Sequence, residues 1–327
     1  MKIEAPGWSP SGATLVLQVL SNRDATFVAV PASGGASTTL FRVSEPLYGW
    51  SVSARGVFAL AIPVAFDASR IAIVELKSGS VRWLAPPGPG SQISPVWSVD
   101  GTSVIFGRTD SMQGGGTIEQ VRADGTGAKI VTQAKGVLGG ALAPAMDTAQ
   151  GILLYTEEFN GSQLFALDRA SGNTTTPGPR GQYQSRLGGW RDRSPRVLAQ
   201  ATTSIVAPAG QGAIILWDDI SGLSRTLASG AVNSPRFDPV GIRIVFGAYD
   251  DASRHWQLEI MNADGSGRSA IPGTESAMNA VWADGGIYFT PVPDSPHDLR
   301  VVDPAGRSVR TLFHTDEVVA GFRLIGP

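Results

Sequence analysis

Short apolar runs of six to eight residues recur along the whole chain, separated by polar or glycine-bearing turns. Within a run the alternation has a period of two. Trp256, Leu258 and Ile260 alternate with Gln257, Glu259 and Met261, as in a strand whose two faces meet different surroundings. The runs are too short for helices and suit strands.

The runs fall into a repeating unit. An aromatic residue sits in a short segment, followed by a glycine turn and an apolar run. A polar loop, a second apolar run, a tight glycine turn and a short third run complete the unit. The clearest copies are 94–133 (SPVWSVDG, TSVIFGRTD, TIEQVRADGTG, AKIVTQ) and 234–272 (SPRFDPVG, IRIVFGAYD, WQLEIMNADGSG, RSAIP). The anchors are Trp8, Trp50, Trp97, Ala143 (a degenerate copy), Trp190, Phe237 and Trp282, spaced 42, 47, 46, 47, 47 and 45 residues apart. Seven late turns match them: 32–35, 77–80, 123–127, 170–173, 220–223, 263–267 and 304–307. Six of the seven carry SG or DG, supplying the positive φ that hairpin turns need. Each unit reads as a four-stranded antiparallel meander, strands a to d, which cannot cover both its faces alone. Stacked radially, such units cover one another.

The expected fold is therefore all-β, a seven-bladed β-propeller filling one domain over 1–327. Its blades span about 1–41, 46–85, 94–133, 138–178, 187–229, 233–273 and 278–315. The segment 318–327 looks like the start of a further unit and is expected to close the ring. The tryptophans of strand a are expected to wedge between blades near the axis.

Composition narrows the function classes. Of 327 residues 40 are glycine, 17% are charged and none is cysteine, so disulfides and thiolate metal sites are excluded. The formal net charge of -2 leaves no basic footprint for nucleic acid. No apolar stretch reaches the roughly 18 residues a membrane helix needs, so no membrane insertion is expected. The start, MKIEAPGW, has no apolar core of a signal peptide.

At this point a family resemblance emerges. WSPSG at 8–12, WSVDG at 97–101, SPRFDPVG at 234–241 and MNADGSG at 261–267 resemble the repeat of TolB-type β-propellers. The resemblance spans nearly the whole chain and is weakest in the fourth unit, where Ala143 replaces the aromatic. Many such propellers have six blades, whereas this sequence counts seven. The family includes periplasmic scaffolds, sensor domains of membrane regulators, substrate-gating propellers of peptidases and a few sugar-degrading lyases. The resemblance implies an extracytoplasmic setting, periplasmic or at the cell surface, and specifies fold rather than function.

The chain has no Gly-Lys phosphate loop, no G-x-S-x-G elbow and no H-E-x-x-H pair. In a four-stranded blade the b–c and d–a loops share one face. That face is expected to carry nine acidic and three basic groups: Asp24, Asp67, Asp110, Glu157, Glu158, Asp250, Asp251, Asp294, Asp298, Arg23, Arg108 and Arg254. Two of the three histidines, His255 and His297, lie in adjacent b–c loops. With Asp294 and Asp298 they are the candidate ligands of a divalent metal; otherwise no cofactor is expected. The long d–a loop at 177–189 carries Arg180, Tyr183 and Arg186, residue types favoured at binding hot spots.

The candidate binding residues are thus Arg108, Asp110, Glu157, Glu158, Arg180, Tyr183, Arg186, Asp250, Asp251, Arg254 and His255. The function expected is a non-catalytic binding or scaffold propeller, taking a protein or peptide partner or a glycan on this face. It is expected to be monomeric, and could be the sensor part of a larger extracytoplasmic protein. The alternative is a metal-assisted polysaccharide lyase or hydrolase on the same face. The scarcity of histidine and the lack of any nucleophile–base signature argue against catalysis.

Overall fold

The computed structural model describes residues 13–21, 24–45, 47–65, 68–84, 90–109, 115–134, 141–148, 150–158, 162–176, 183–191, 196–202, 212–218, 223–283, 285–291 and 296–325. Among them 28 strands form seven four-stranded antiparallel sheets. The first contains β1 (Thr14–Ser21), β2 (Asp24–Pro31) and β3 (Thr38–Val43). The second contains β4 (Trp50–Val52), β5 (Val57–Ala65), β6 (Ala68–Glu75) and β7 (Ser80–Trp83). The third contains β8 (Ser91–Trp97), β9 (Ser103–Thr109), β10 (Gly116–Arg122) and β11 (Lys129–Gln133). The fourth contains β12 (Ala141–Asp147), β13 (Ile152–Glu158), β14 (Ser162–Asp168) and β15 (Thr174–Thr175). The fifth contains β16 (Tyr183–Arg191), β17 (Arg196–Thr202), β18 (Gly212–Asp218) and β19 (Ser224–Gly230). The sixth contains β20 (Val232–Phe237), β21 (Arg243–Asp250), β22 (His255–Asn262) and β23 (Ser269–Ala270). The seventh contains β24 (Ala277–Ala283), β25 (Gly286–Pro291), β26 (Asp298–Val302) and β27 (Val309–His314).

The first sheet takes its fourth strand from the far end of the chain. β28 (Val318–Ile325) pairs antiparallel with β1, from Thr14 opposite Ile325 to Leu20 opposite Val318. The unit expected over 1–41 is therefore completed by the C-terminal segment. Trp8, its expected anchor, lies outside the described residues.

The second strand of each blade shows why the sheets must stack. Its side chains alternate between two neighbours. Val104 and Phe106 of β9 pack against Ala59, Ala61, Ile71 and Ile73 of the preceding sheet. Ile105, between them, packs against Leu142, Leu153 and Tyr155 of the following one. Ile244 and Phe246 of β21 face Ile214 and Leu216, while Val245 faces Ile287 and Phe289. Phe27, Phe41, Phe58 and Leu60 join the first two sheets. Leu154 and Leu164 meet Ile215 and Trp217. Leu15, Leu17 and Val30 meet Tyr288, Leu299 and Val301, taking the contacts from the seventh sheet back to the first. Each such side chain contributes about 1.5–3 kcal/mol by leaving water. The architecture is an all-β propeller of four-stranded antiparallel blades.

Two anchors sit elsewhere than expected. Trp97 lies opposite Val104 on its neighbour strand, as Phe237 lies opposite Ile244 and Trp282 opposite Ile287. In the second blade Val52 holds that position, opposite Phe58. Trp50 instead stands edge-on to Phe27, with ring centroids 5.1 Å apart, and donates its indole N–H to Gln18 Oε1 at 2.9 Å. In the fourth blade Asp147, opposite Leu153, takes the anchor position rather than Ala143. Its carboxylate accepts from Arg169 at 2.9 Å and from the Val99 N–H of the third blade at 3.2 Å. A polar staple thus replaces the aromatic wedge.

Packing between blades is close enough to dictate a glycine. A Cβ on Gly107 would lie 1.9 Å from the Leu142 carbonyl oxygen of the next blade. No helix among the described residues is long and apolar enough to cross a membrane.

Candidate functional site

Antiparallel order sends the b–c turns and d–a links to one end of the propeller and the a–b and c–d turns to the other. The first end carries, among the described residues, a hydrogen-bonded turn between β21 and β22. Asp250 Oδ1 accepts from the Ala252 N–H at 3.1 Å, and Oδ2 from the Ser253 N–H at 3.3 Å. The Arg254 N–H closes the turn onto the Asp250 carbonyl at 2.8 Å. Hydrogen bonding from Ser253, foremost its side chain, holds the Asp250 carboxyl below the usual carboxylate range. Arg254 takes a φ of 59°, a left-handed conformation that costs a non-glycine residue about 1–2 kcal/mol. The turn thereby presents Asp251, Arg254 and His255 to solvent. Beside them Tyr249 is 36% exposed and packs edge-on against Trp256 at 5.8 Å.

The other expected residues divide into engaged and undescribed ones. Arg108 is bound to Glu119 across β9 and β10, Nε to Oε1 at 2.6 Å and Nη2 to Oε2 at 3.1 Å. It staples the third blade and is not a free contact point. Glu157 is half-buried near the end of β13. Asp110, Arg180 and Asp294 lie outside the described residues, as do the side chains of Glu158, Tyr183 and Arg186.

The histidine pair does not form a metal-ligand set among the described residues. His297 Nδ1 meets the Glu317 carbonyl at 2.8 Å. Asp298 is buried, with Oδ2 on Arg300 and Oδ1 on His314 Nδ1, each at 2.7 Å. His297 thus faces the link into β28, and Asp298 the end of β27. No group of three or more His, Asp or Glu side chains among the described residues is placed to hold a metal ion.

The structure adds apolar stations that the charge-centred reading missed. Leu20 and Val318 are cross-strand partners, 37% and 41% exposed. Val64 is the next-to-last residue of β5, and Tyr48 sits in the link before β4; both are exposed on the same end. On the rim of the second blade the Arg70 guanidinium lies 4.6 Å over the Trp83 ring. The sequence signal was available: large apolar residues at the loop ends of strands, beyond the reach of either neighbouring blade.

Solved β-propellers share this fold, TolB proteins among them. TolB from Acinetobacter baumannii matches with a TM-score of 0.56 at 17% identity, over 81% of this chain and 64% of that one; the chain thus spans less than two thirds of its length. A puromycin-hydrolyzing peptidase of Mycobacterium tuberculosis matches with a TM-score of 0.62 at 12% identity, over 95% of this chain and 56% of that one. A chain of a nidogen/laminin complex matches with a TM-score of 0.51 at 14% identity, over 96% and 98%. No family model and no curated protein matches the sequence.

Proposed function

We propose that the chain is a non-catalytic binding propeller that holds a protein or peptide partner on its b–c/d–a face. The observation that carries this reading is the β21–β22 turn. An arginine, a histidine and an aspartate stand exposed on a reverse turn locked by Asp250, next to the half-open Tyr249 ring. A rigid turn bearing arginine and tyrosine is the composition of a hot spot, and prior ordering lowers the entropic cost of binding. Leu20, Val64 and Val318 on the same face supply apolar area that a partner would cover. The proposal includes one closed seven-bladed domain over 1–327. It also includes an extracytoplasmic setting, which rests on the resemblance to TolB-type propellers.

The test is site-specific photo-crosslinking in the producing cell. A benzophenone side chain replaces Tyr249 or Val64 on this face, and Val240 on the other, where Val240 is 65% exposed. Positions 249 and 64 are expected to yield the same adduct, which position 240 does not yield. The adduct from position 64 should vanish in Arg254→Glu. Equal adducts from both faces, or persistence in Arg254→Glu, would refute the assignment of the face.

A further inference from the structure

The opposite end of the propeller, where a–b and c–d turns gather, has a different character. A cavity of about 550 Å³ opens there between the second and third blades, a size that suits a small organic molecule. Arg55 from the β4–β5 turn, Lys77 from the β6–β7 turn and Arg82 from β7 line it. None of these three cations makes an ion pair or a side-chain hydrogen bond among the described residues. Glu75 is the one carboxylate in the lining. Its Oε2 is taken up by the hydroxyls of Ser78 at 2.6 Å and Ser80 at 3.2 Å. The lining therefore has a net charge of +2 in a chain whose formal net charge is -2. The remaining wall is mixed: Ser53 and Ser80 stand beside an apolar part made of Val57, Leu76, the buried Ile73 and the half-buried Trp97. The Trp97 indole N–H is buried without a hydrogen-bond partner, an uncommon and costly state for a strong donor.

Lys77 and Arg82 act electrostatically on Glu75, but three cations outnumber the one carboxylate of the lining and draw anions from solution. The apolar part of the wall selects for more than an inorganic ion. We propose that this cavity binds a small organic anion, a carboxylate or phosphate monoester carried on an apolar or aromatic body. Arg55, Lys77 and Arg82 hold the anionic group, and the body lies against Ile73 and Trp97. The site is on the face away from the proposed partner surface and stands or falls separately from it.

Calorimetric titration of the whole chain with phenyl phosphate at low ionic strength tests the site, with inorganic phosphate and an acidic decapeptide as the other arms. Phenyl phosphate is expected to bind saturably at one site and more tightly than inorganic phosphate. In Arg55→Gln/Arg82→Gln the affinity is expected to fall at least about tenfold, the loss for one charge-assisted bond. Both arginines are exposed, so the melting temperature of this variant should match that of the parent. Arg254→Glu should leave phenyl phosphate binding unchanged. Absence of saturation by about 10 mM, a regime weaker than any specific site, would overturn the proposal. So would equal affinity in the double variant, or equal affinity for inorganic phosphate. Binding of the decapeptide in place of phenyl phosphate would reassign the cavity to an acidic partner segment.

Discussion

Asp124 and Asp264 illustrate how single side chains shape the turns. Each accepts the backbone N–H two residues on at 2.8 Å, from Thr126 and Ser266. Between donor and acceptor sit Gly125 and Gly265, with φ of 90° and 86°. Hydroxyl bonds from the same Thr126 and Ser266 are the foremost reason that both carboxyls lie below their usual range. Asp100, Asp168 and Asp250 are lowered in the same way, each first by a serine hydroxyl. A carboxyl whose folded value is depressed contributes stability above its unfolded value, about 3.9. That contribution is lost as pH falls through the lower folded value. Stability should therefore be level with respect to these groups above about pH 5 and decline below about pH 4. Asp124→Asn/Asp264→Asn should show a shallower acid limb in melting temperature against pH. An unchanged limb would mean that these turns do not report on folding.

Strands and blades obey a different logic, because an edge left unpaired is a liability for the whole element. β28 covers the open side of β1 and brings Val319, Phe322 and Ile325 to 3%, 6% and 2% exposure. The approach to β28 is tied to the seventh blade as well. The Val319 N–H donates to the Pro296 carbonyl at 2.7 Å, and the Thr315 N–H to the His297 carbonyl at 3.1 Å. At about 2 kcal/mol per buried side chain, removing 318–327 costs on the order of 6 kcal/mol, comparable to a whole domain's stability. Urea unfolding of the truncated chain should show a lost or strongly lowered midpoint. A midpoint equal to that of the full chain would show that the clasp is dispensable. The Asp147–Arg169 pair works at the same scale in the fourth blade. It reaches Val99 and, through Arg169, Gln120 at 2.7 Å in the third blade, so it adds a polar join to the apolar contacts of Ile105 with Tyr155.

For the molecule as a whole, every sheet shares its two faces with neighbours, from the first pair around to Leu17 against Tyr288. Opening one interface exposes two sheets, so unfolding should be a single transition. Tryptophan fluorescence and far-ultraviolet circular dichroism should then give coincident curves; separated midpoints would show blades melting independently. Much of this architecture was legible from residues 94–133 and 234–272, where alternation and glycine turns are both strong. The anchors Trp50 and Ala143 misled, because an aromatic near the right spacing says nothing about which residue opposes Phe58 or Leu153. The exposed turn at Asp250–His255 was legible because its hydrogen bonds are self-contained. It was not legible at Arg108, His297 or Asp298, whose partners Glu119, Glu317 and His314 lie 11, 20 and 16 residues away. By itself the sequence determined strand alternation and turn placement, since both depend on residues a few positions apart. The closing role of 318–327 was also expected from the sequence, but tertiary structure alone decided the register of β28 on β1, which charged groups are already taken, and that Arg55, Lys77 and Arg82 gather between the second and third blades. Those outcomes depend on which distant segments meet in space, a relation that local spacing does not encode.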